Sequence, residues 1–186
     1  MTVWAGVDVG GPRKGFHVAV VGGDRLLALE RAEGAADVVA AVERCALTAV
    51  DSPRMTALAG QSARECERML AREICGIRWT PDAETVLGGN PYYEWIRRGL
   101  ALYRALAAAA LEAIECFPTA SWTRWGGRRG KHSRARWSAR VLAQQGLADV
   151  PGRLNQDWRD AIGAALTARA HSQGLTQELG EIVVPL

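Results

Sequence analysis

Cysteine is scarce and unpatterned in this chain. Cys45, Cys66, Cys75 and Cys116 form no CxxC pair, and no histidine lies beside them at zinc-finger spacing. A structural zinc or a disulfide framework is not expected; four reduced, small core residues are. Long apolar runs are missing too. Nothing approaches the roughly 18 consecutive apolar residues of a membrane span, so no membrane partner is expected. The first residues lack a basic stretch followed by an apolar one, which argues against a signal peptide and for a cytoplasmic protein. Acid is absent between Glu115 and Asp149, where seven bases fall: Arg124, Arg128, Arg129, Lys131, Arg134, Arg136 and Arg140. There is no internal repeat and no low-complexity linker.

What is present is an ordinary apolar content of 48% and a net charge of only +3 over 186 residues. That length fits one domain with a substantial core. Residues 3–9 and 16–22 read as strands joined by "GGPRKG", a hairpin by its glycines and proline. "RLLALERA" reads as a third strand, 35–44 as a helix, and "CALTAVD" as a strand buried on both faces. A helix over about 62–74 has Ser62 and Glu65 at capping-box spacing. "GIRWTPDAETVLGGN" reads as loop. Asn90-Pro91 starts a helix to about 109, with Tyr92, Trp95, Ile96, Leu100, Tyr103 and Leu106 as a packing stripe. "LEAIECF" is a strand ended by Pro118; 131–145 and 156–172 are helices. "EIVVPL" is an edge strand or a tail. The expected fold is α/β, a mixed sheet with helices on its faces.

Three acids repeat one grammar. Asp8, Asp51 and Glu115 each end an apolar strand, one to three residues before a Gly or Pro break. If the strands are parallel neighbours, the carboxylates meet at one edge of the sheet, where open α/β sheets place their sites. Gathered and partly buried, they repel one another and resist ionisation. No Lys or Arg adjoins them within the strands, so a divalent cation such as Mg²⁺ or Mn²⁺ is the economical counter-charge. Asp157 and Asp160, three apart in "NQDWRDAIGAALTARA", share a helix face. Ala161, Ala164 and Ala168 continue roughly that face and permit close approach to a sheet. Taken singly, each acid also reads as a turn cap, a helix-terminal charge or an ion-pair partner.

The ordered set "GVDVGGPRKGFHVAVV", "AVDSPR", "CGIRWTPD", "IECFPTASW" and "DWRDAIGAALTA" resembles domain-of-unknown-function 429, a family of predicted nucleases with an RNase H-like fold. The likeness spans nearly the whole chain. It implies a single domain over 1–186, a five-stranded mixed sheet flanked by helices on both faces, and a helical insertion at about 80–110. The wider superfamily, with RNase H and the Holliday-junction resolvases, holds two Mg²⁺ or Mn²⁺ ions with carboxylates of the first strand, a central strand and a late helix. Carried over, Asp8 is the first-strand ligand and Asp51 the central one. Glu115 is the acid of an E-x-x-P strand end, and Asp160 with Asp157 forms the late-helix pair. "RECER", Arg64 to Arg68, resembles a family helix carrying an arginine and an acid.

The implied reaction is two-metal hydrolysis of a DNA or RNA phosphodiester. Arg13, Lys14, Arg128, Arg129 and Lys131 are the candidate phosphate contacts, with Trp122, Trp125 or Trp137 available to stack on bases. The same residues also read as exposed turns, with the tryptophans packing inward. His17 reads as a hairpin or core residue or a substrate contact; His132 and His171 read as surface residues, the former near phosphate. Two other classes stand beside the nuclease: a non-catalytic nucleic-acid-binding or scaffold module, and a sugar-kinase-like ATPase, for which a second glycine-rich phosphate motif is lacking. A homodimer through the 90–109 helix stays open.

Overall fold

The computed structural model describes all residues, 1–186. Strands β1 (Val3–Val9), β2 (Phe16–Gly22) and β3 (Arg25–Ala32) form an antiparallel meander, followed by α1 (Ala35–Val42) and β4 (Leu47–Asp51). Next come α2 (Glu65–Glu73), the short α3 (Ala83–Leu87), a 3₁₀ turn at Pro91–Tyr93, α4 (Glu94–Ala108) and β5 (Ala113–Cys116). The chain ends with α5 (Pro118–Gly126), α6 (Arg134–Gln144), α7 (Gln156–Ser172) and the hairpin β6 (Thr176–Leu179) and β7 (Ile182–Pro185).

The sheet has seven strands in the order β3-β2-β1-β4-β5-β7-β6, not the five expected. The additional pair is the C-terminal hairpin. "EIVVPL" is neither edge nor tail: β7 lies parallel to β5 and antiparallel to β6, which takes the edge instead. The Gly180 backbone at φ 59° turns this hairpin, a conformation that costs glycine little. Other differences are local. α2 starts at Glu65 because Glu67 accepts the Arg64 backbone N–H, so the cap falls two residues after Ser62. α3 lies inside the expected loop, capped by Asp82, whose carboxylate accepts from Thr85 N–H. α5 begins at Pro118, so that proline both stops β5 and starts a helix.

β1, β4 and β5 are parallel neighbours, so their C-terminal ends meet. Alternation sorts their side chains between two cores. On one face Trp4, Ala49, Ile114 and Cys116 pack under α5, α6 and α7. On the other Val7, Val9 and Val50 pack with Val38 and Val42 of α1 and Leu102 and Leu106 of α4. Of the stripe expected along α4, Ile96 and Leu106 are buried, Trp95, Leu100 and Tyr103 are half-buried, and Tyr92 is exposed. A third cluster joins α2 to β6 and β7 through Cys66, Leu70, Leu179 and Ile182.

α7 lies directly on β1. A Cβ on Gly6 would stand 2.1 Å from the Ala161 carbonyl oxygen and 2.0 Å from the Ala165 nitrogen. Only glycine permits that approach, and Ala161, Ala164, Ala165 and Ala168 are all fully buried. Ile162 and Leu166 of the same helix are buried as well, each stabilising by about 1.5–3 kcal/mol. The packing sets the N-terminal turn of α7 over the end of β1.

Candidate metal centre

The parallel register decides which acids meet. Asp8 of β1 stands opposite Asp51 of β4. Side chains paired across strands share a face, here the face covered by α7. Glu115 is paired with Val50, one residue short of Asp51. That single step sends Glu115 to the opposite face.

α7 completes the first group. Its Asn155 side chain accepts from the Trp158 N–H and fixes the helix start. One turn on, Asp160 is buried and held on both oxygens. Oδ1 accepts from Trp122 Nε1 at 3.1 Å and Gln156 Nε2 at 2.9 Å, and Oδ2 accepts from Arg134 at 2.8 Å. Asp157 is less buried and accepts on both oxygens from Lys14 Nζ, at 3.0 and 2.9 Å. Asp8, Asp51, Asp157 and Asp160 line one cleft of about 900 Å³, with Gly10, Gly11 and Lys14 at one wall and Arg129 and Arg134 at another.

Glu115 reaches the same cleft from the other face and is not free. Arg64 donates to its two oxygens at 2.8 and 2.5 Å, and the Arg54 N–H adds a third bond at 2.9 Å. Arg64 also binds Glu67, which in turn accepts the Thr80 N–H. Arg64, Glu67 and Glu115 are 5%, 0% and 3% exposed, so this is a buried ionic cluster on the far side of the sheet from Asp8.

Electrostatics separate the acids further. Burial, then the charges of Asp160 and Asp157, raises the Asp8 carboxyl from 3.8 to about 7. Burial, then the neighbouring Asp8 charge, raises Asp51 well above its ordinary value. Asp160 is raised by burial against the opposing pull of Arg134, Trp122 and Gln156. Glu115 is raised by burial against Arg64. Asp157, Asp160 and Glu115 each have an arginine or lysine partner. Asp51 has none, and the only basic atom within 4 Å of Asp8 is His17 Nδ1, at 3.8 Å. Burial lowers the pKa of His17, so that imidazole is no counter-charge near neutral pH.

Among the candidate phosphate contacts, Lys14 and Arg129 line the cleft, while Arg13, Arg128 and Lys131 are exposed beyond its lining. Trp122 and Trp137 are core residues, 0% and 2% exposed, and have no face to offer a base. Trp125 is half-buried against the same core. The exposed aromatics are elsewhere: Tyr92 on the cleft rim and Trp79 in the adjoining depression.

Residues that pattern reading passes over are Arg64 as the partner of Glu115, Arg134 as the partner of Asp160, and His17 as the neighbour of Asp8. The last is within reach of the sequence. A six-residue link between strands 3–9 and 16–22 sets Val9 opposite Phe16, and therefore Asp8 opposite His17.

No curated protein matches the chain. Several solved structures share its fold, two of them of RuvC. The Thermus thermophilus RuvC structure aligns with a TM-score of 0.54 at 19% identity, over 93% of this chain and 97% of that one. T. thermophilus RuvC in complex with Holliday junction substrate aligns with a TM-score of 0.54 at 16% identity, over 94% and 97%. The architecture is thus RNase H-like, as the motifs implied, with two strands added. Residues 6–181 match the family model described as protein of unknown function (DUF429), and the chain belongs to that family.

Proposed function

We propose that the chain is a divalent-metal-dependent phosphodiester hydrolase acting on DNA or RNA, with Asp8, Asp51, Asp157 and Asp160 as its metal-binding acids. One observation carries this reading. Asp8 and Asp51 lie side by side on the α7 face, desolvated, with no lysine or arginine paired to either. Two neighbouring carboxylates of that kind suit a hard dication with oxygen ligands, and Mg²⁺ and Mn²⁺ both fit that donor set. Such ions, when bound, supply an activated water and charge stabilisation at the leaving oxygen.

The chain's own residues supply the rest. Trp122, Gln156 and Arg134 fix the orientation of Asp160. Lys14 has a side chain 60% exposed and is able to leave Asp157 and turn to a phosphate. Arg129 and Arg134 present further charge to the strand in the cleft, and Arg13, Arg128 and Lys131 extend it outward. Tyr92 offers a stacking face at the rim, a role that burial denies to Trp122 and Trp137. Glu115, tied to Arg64 and Arg54, anchors the end of β5 and the turn after β4 rather than adding a ligand.

The test is cleavage of labelled single-stranded, duplex and four-way-junction nucleic acids with Mg²⁺ or Mn²⁺, with and without chelator, beside Asp8→Asn. The junction is included because one structure of like fold holds such a substrate. Metal-dependent cleavage abolished by Asp8→Asn is expected. Cleavage that survives chelation, or that Asp8→Asn leaves intact, refutes the metal reading. Binding without cleavage of any substrate assigns the chain to the non-catalytic module instead.

A further inference from the structure

Buried polar atoms are seldom left without a hydrogen bond. His17 Nδ1 is one that is: the residue is 6% exposed and the atom has no partner. The ring is held from two sides. The β1–β2 register sets His17 opposite Asp8, and Trp158 of α7 meets the imidazole edge-on, with centroids 4.5 Å apart. The 3.8 Å from Nδ1 to Asp8 Oδ2 is too long for a hydrogen bond. A ring nitrogen of His17, one oxygen of Asp8 and one of Asp157 nevertheless all lie within 4.8 Å of one another. An unpartnered imidazole nitrogen facing two carboxylates is a donor set for a first-row transition ion rather than for Mg²⁺, which favours oxygen and water.

Resting on the metal-dependent reading above, we propose that His17 Nδ1, Asp8 and Asp157 form a mixed nitrogen–oxygen site that selects Mn²⁺, Co²⁺ or Zn²⁺ over Mg²⁺. It lies beside the all-oxygen group of Asp8, Asp51 and Asp160, and Asp8 belongs to both. The two halves of the centre are therefore unequal, one suited to a hard ion and one to a borderline ion. Asp157 is held in this structure by Lys14, a surface ion pair that costs little to open.

The test is Mn²⁺ titration of the full chain, read by electron spin-echo spectroscopy for coupling to a directly bound imidazole nitrogen and by calorimetry for affinity. The wild-type chain is expected to show nitrogen coupling. His17→Gln is expected to lose it, to bind Mn²⁺ at least about tenfold more weakly, and to leave Mg²⁺ affinity nearly unchanged. A chain with both His132→Gln and His171→Gln is expected to keep the coupling, which tests the assignment even where His17→Gln folds poorly. Mn²⁺ binding without nitrogen coupling, or coupling that disappears in the double variant, overturns the role of His17 and leaves the carboxylate centre standing. Absence of any Mn²⁺ binding overturns both.

Discussion

A carboxylate at the end of a core strand is costly unless something neutralises it. Asp8 and Asp51 illustrate that cost: no arginine or lysine is paired to either, and the more distant Lys14 and Arg134 offset the burial only in part. The sign of the resulting pH dependence follows. The folded state holds the Asp8 proton up to about pH 7, against 3.8 for the ordinary carboxyl. The folded state therefore binds more protons than the unfolded one between those values, and the metal-free chain loses stability as pH rises through that window. Thermal melting of the metal-free protein should rise on going from pH 8 to pH 5, until other groups take over, and Mn²⁺ should restore stability at pH 8. Asp8→Asn removes the repulsion. It should raise the melting temperature of the metal-free chain at pH 8 while reducing the Mn²⁺-induced shift to near zero. A lower melting temperature for Asp8→Asn, with the Mn²⁺ shift intact, would assign Asp8 a purely structural role.

Arg64 makes the contrast. Its partners Glu115 and Glu67 are buried and both paired to its guanidinium. Removing one member of such a cluster leaves an uncompensated charge, so Arg64→Ala should cost about 3–5 kcal/mol in chemical denaturation. Arg64→Lys should recover little, because lysine lacks the planar fork that spans both Glu115 oxygens.

Among the elements, α7 does most to assemble the site. Its packing on β1 depends on the missing Cβ at Gly6. Gly6→Ala places a methyl against helix backbone that has no rotamer to escape with. It should destabilise the fold by at least about 1–3 kcal/mol and weaken Mn²⁺ binding, since α7 carries Asp157 and Asp160 while Asp8 stays on β1. Gly11→Ala, whose Cβ meets nothing within 4 Å, is the matched control and should leave both unchanged.

At this scale the sequence is legible where local chemistry decides. The β1–β2–β3 meander shows its turns, and α7 shows its small-residue face. Where pairing decides, it is not. The facing of Glu115 away from Asp51 hangs on a one-residue offset between β4 and β5, which neither strand's own pattern encodes. The four residues of β6 carry no signal until β7 is there to pair with them. Arg64 and Glu115 are 51 positions apart, and the ion pair that settles the state of Glu115 exists only after folding.

Across the whole molecule, charge is distributed so that acids end the central strands and bases frame the cleft. The acid-free stretch after Glu115 folds into α5, the following loop and α6, which brings Arg129 and Arg134 to the cleft wall. Replacing Arg128, Arg129 and Lys131 together with glutamine should weaken nucleic-acid binding for every sequence alike. It should also lower the slope of log affinity against log salt by about 1 for each phosphate no longer neutralised. An unchanged slope would place the substrate path elsewhere, for instance across Trp79 and Tyr92.

The central claim is that Asp8 and Asp51 share a dication. Anomalous diffraction from crystals soaked in Mn²⁺ tests it without reference to any substrate. The account predicts a peak about 2.1 Å from an oxygen of Asp8, shared with Asp51 or Asp160. An intact cleft with no peak there, or a peak bound only at surface acids such as Glu65, would contradict it.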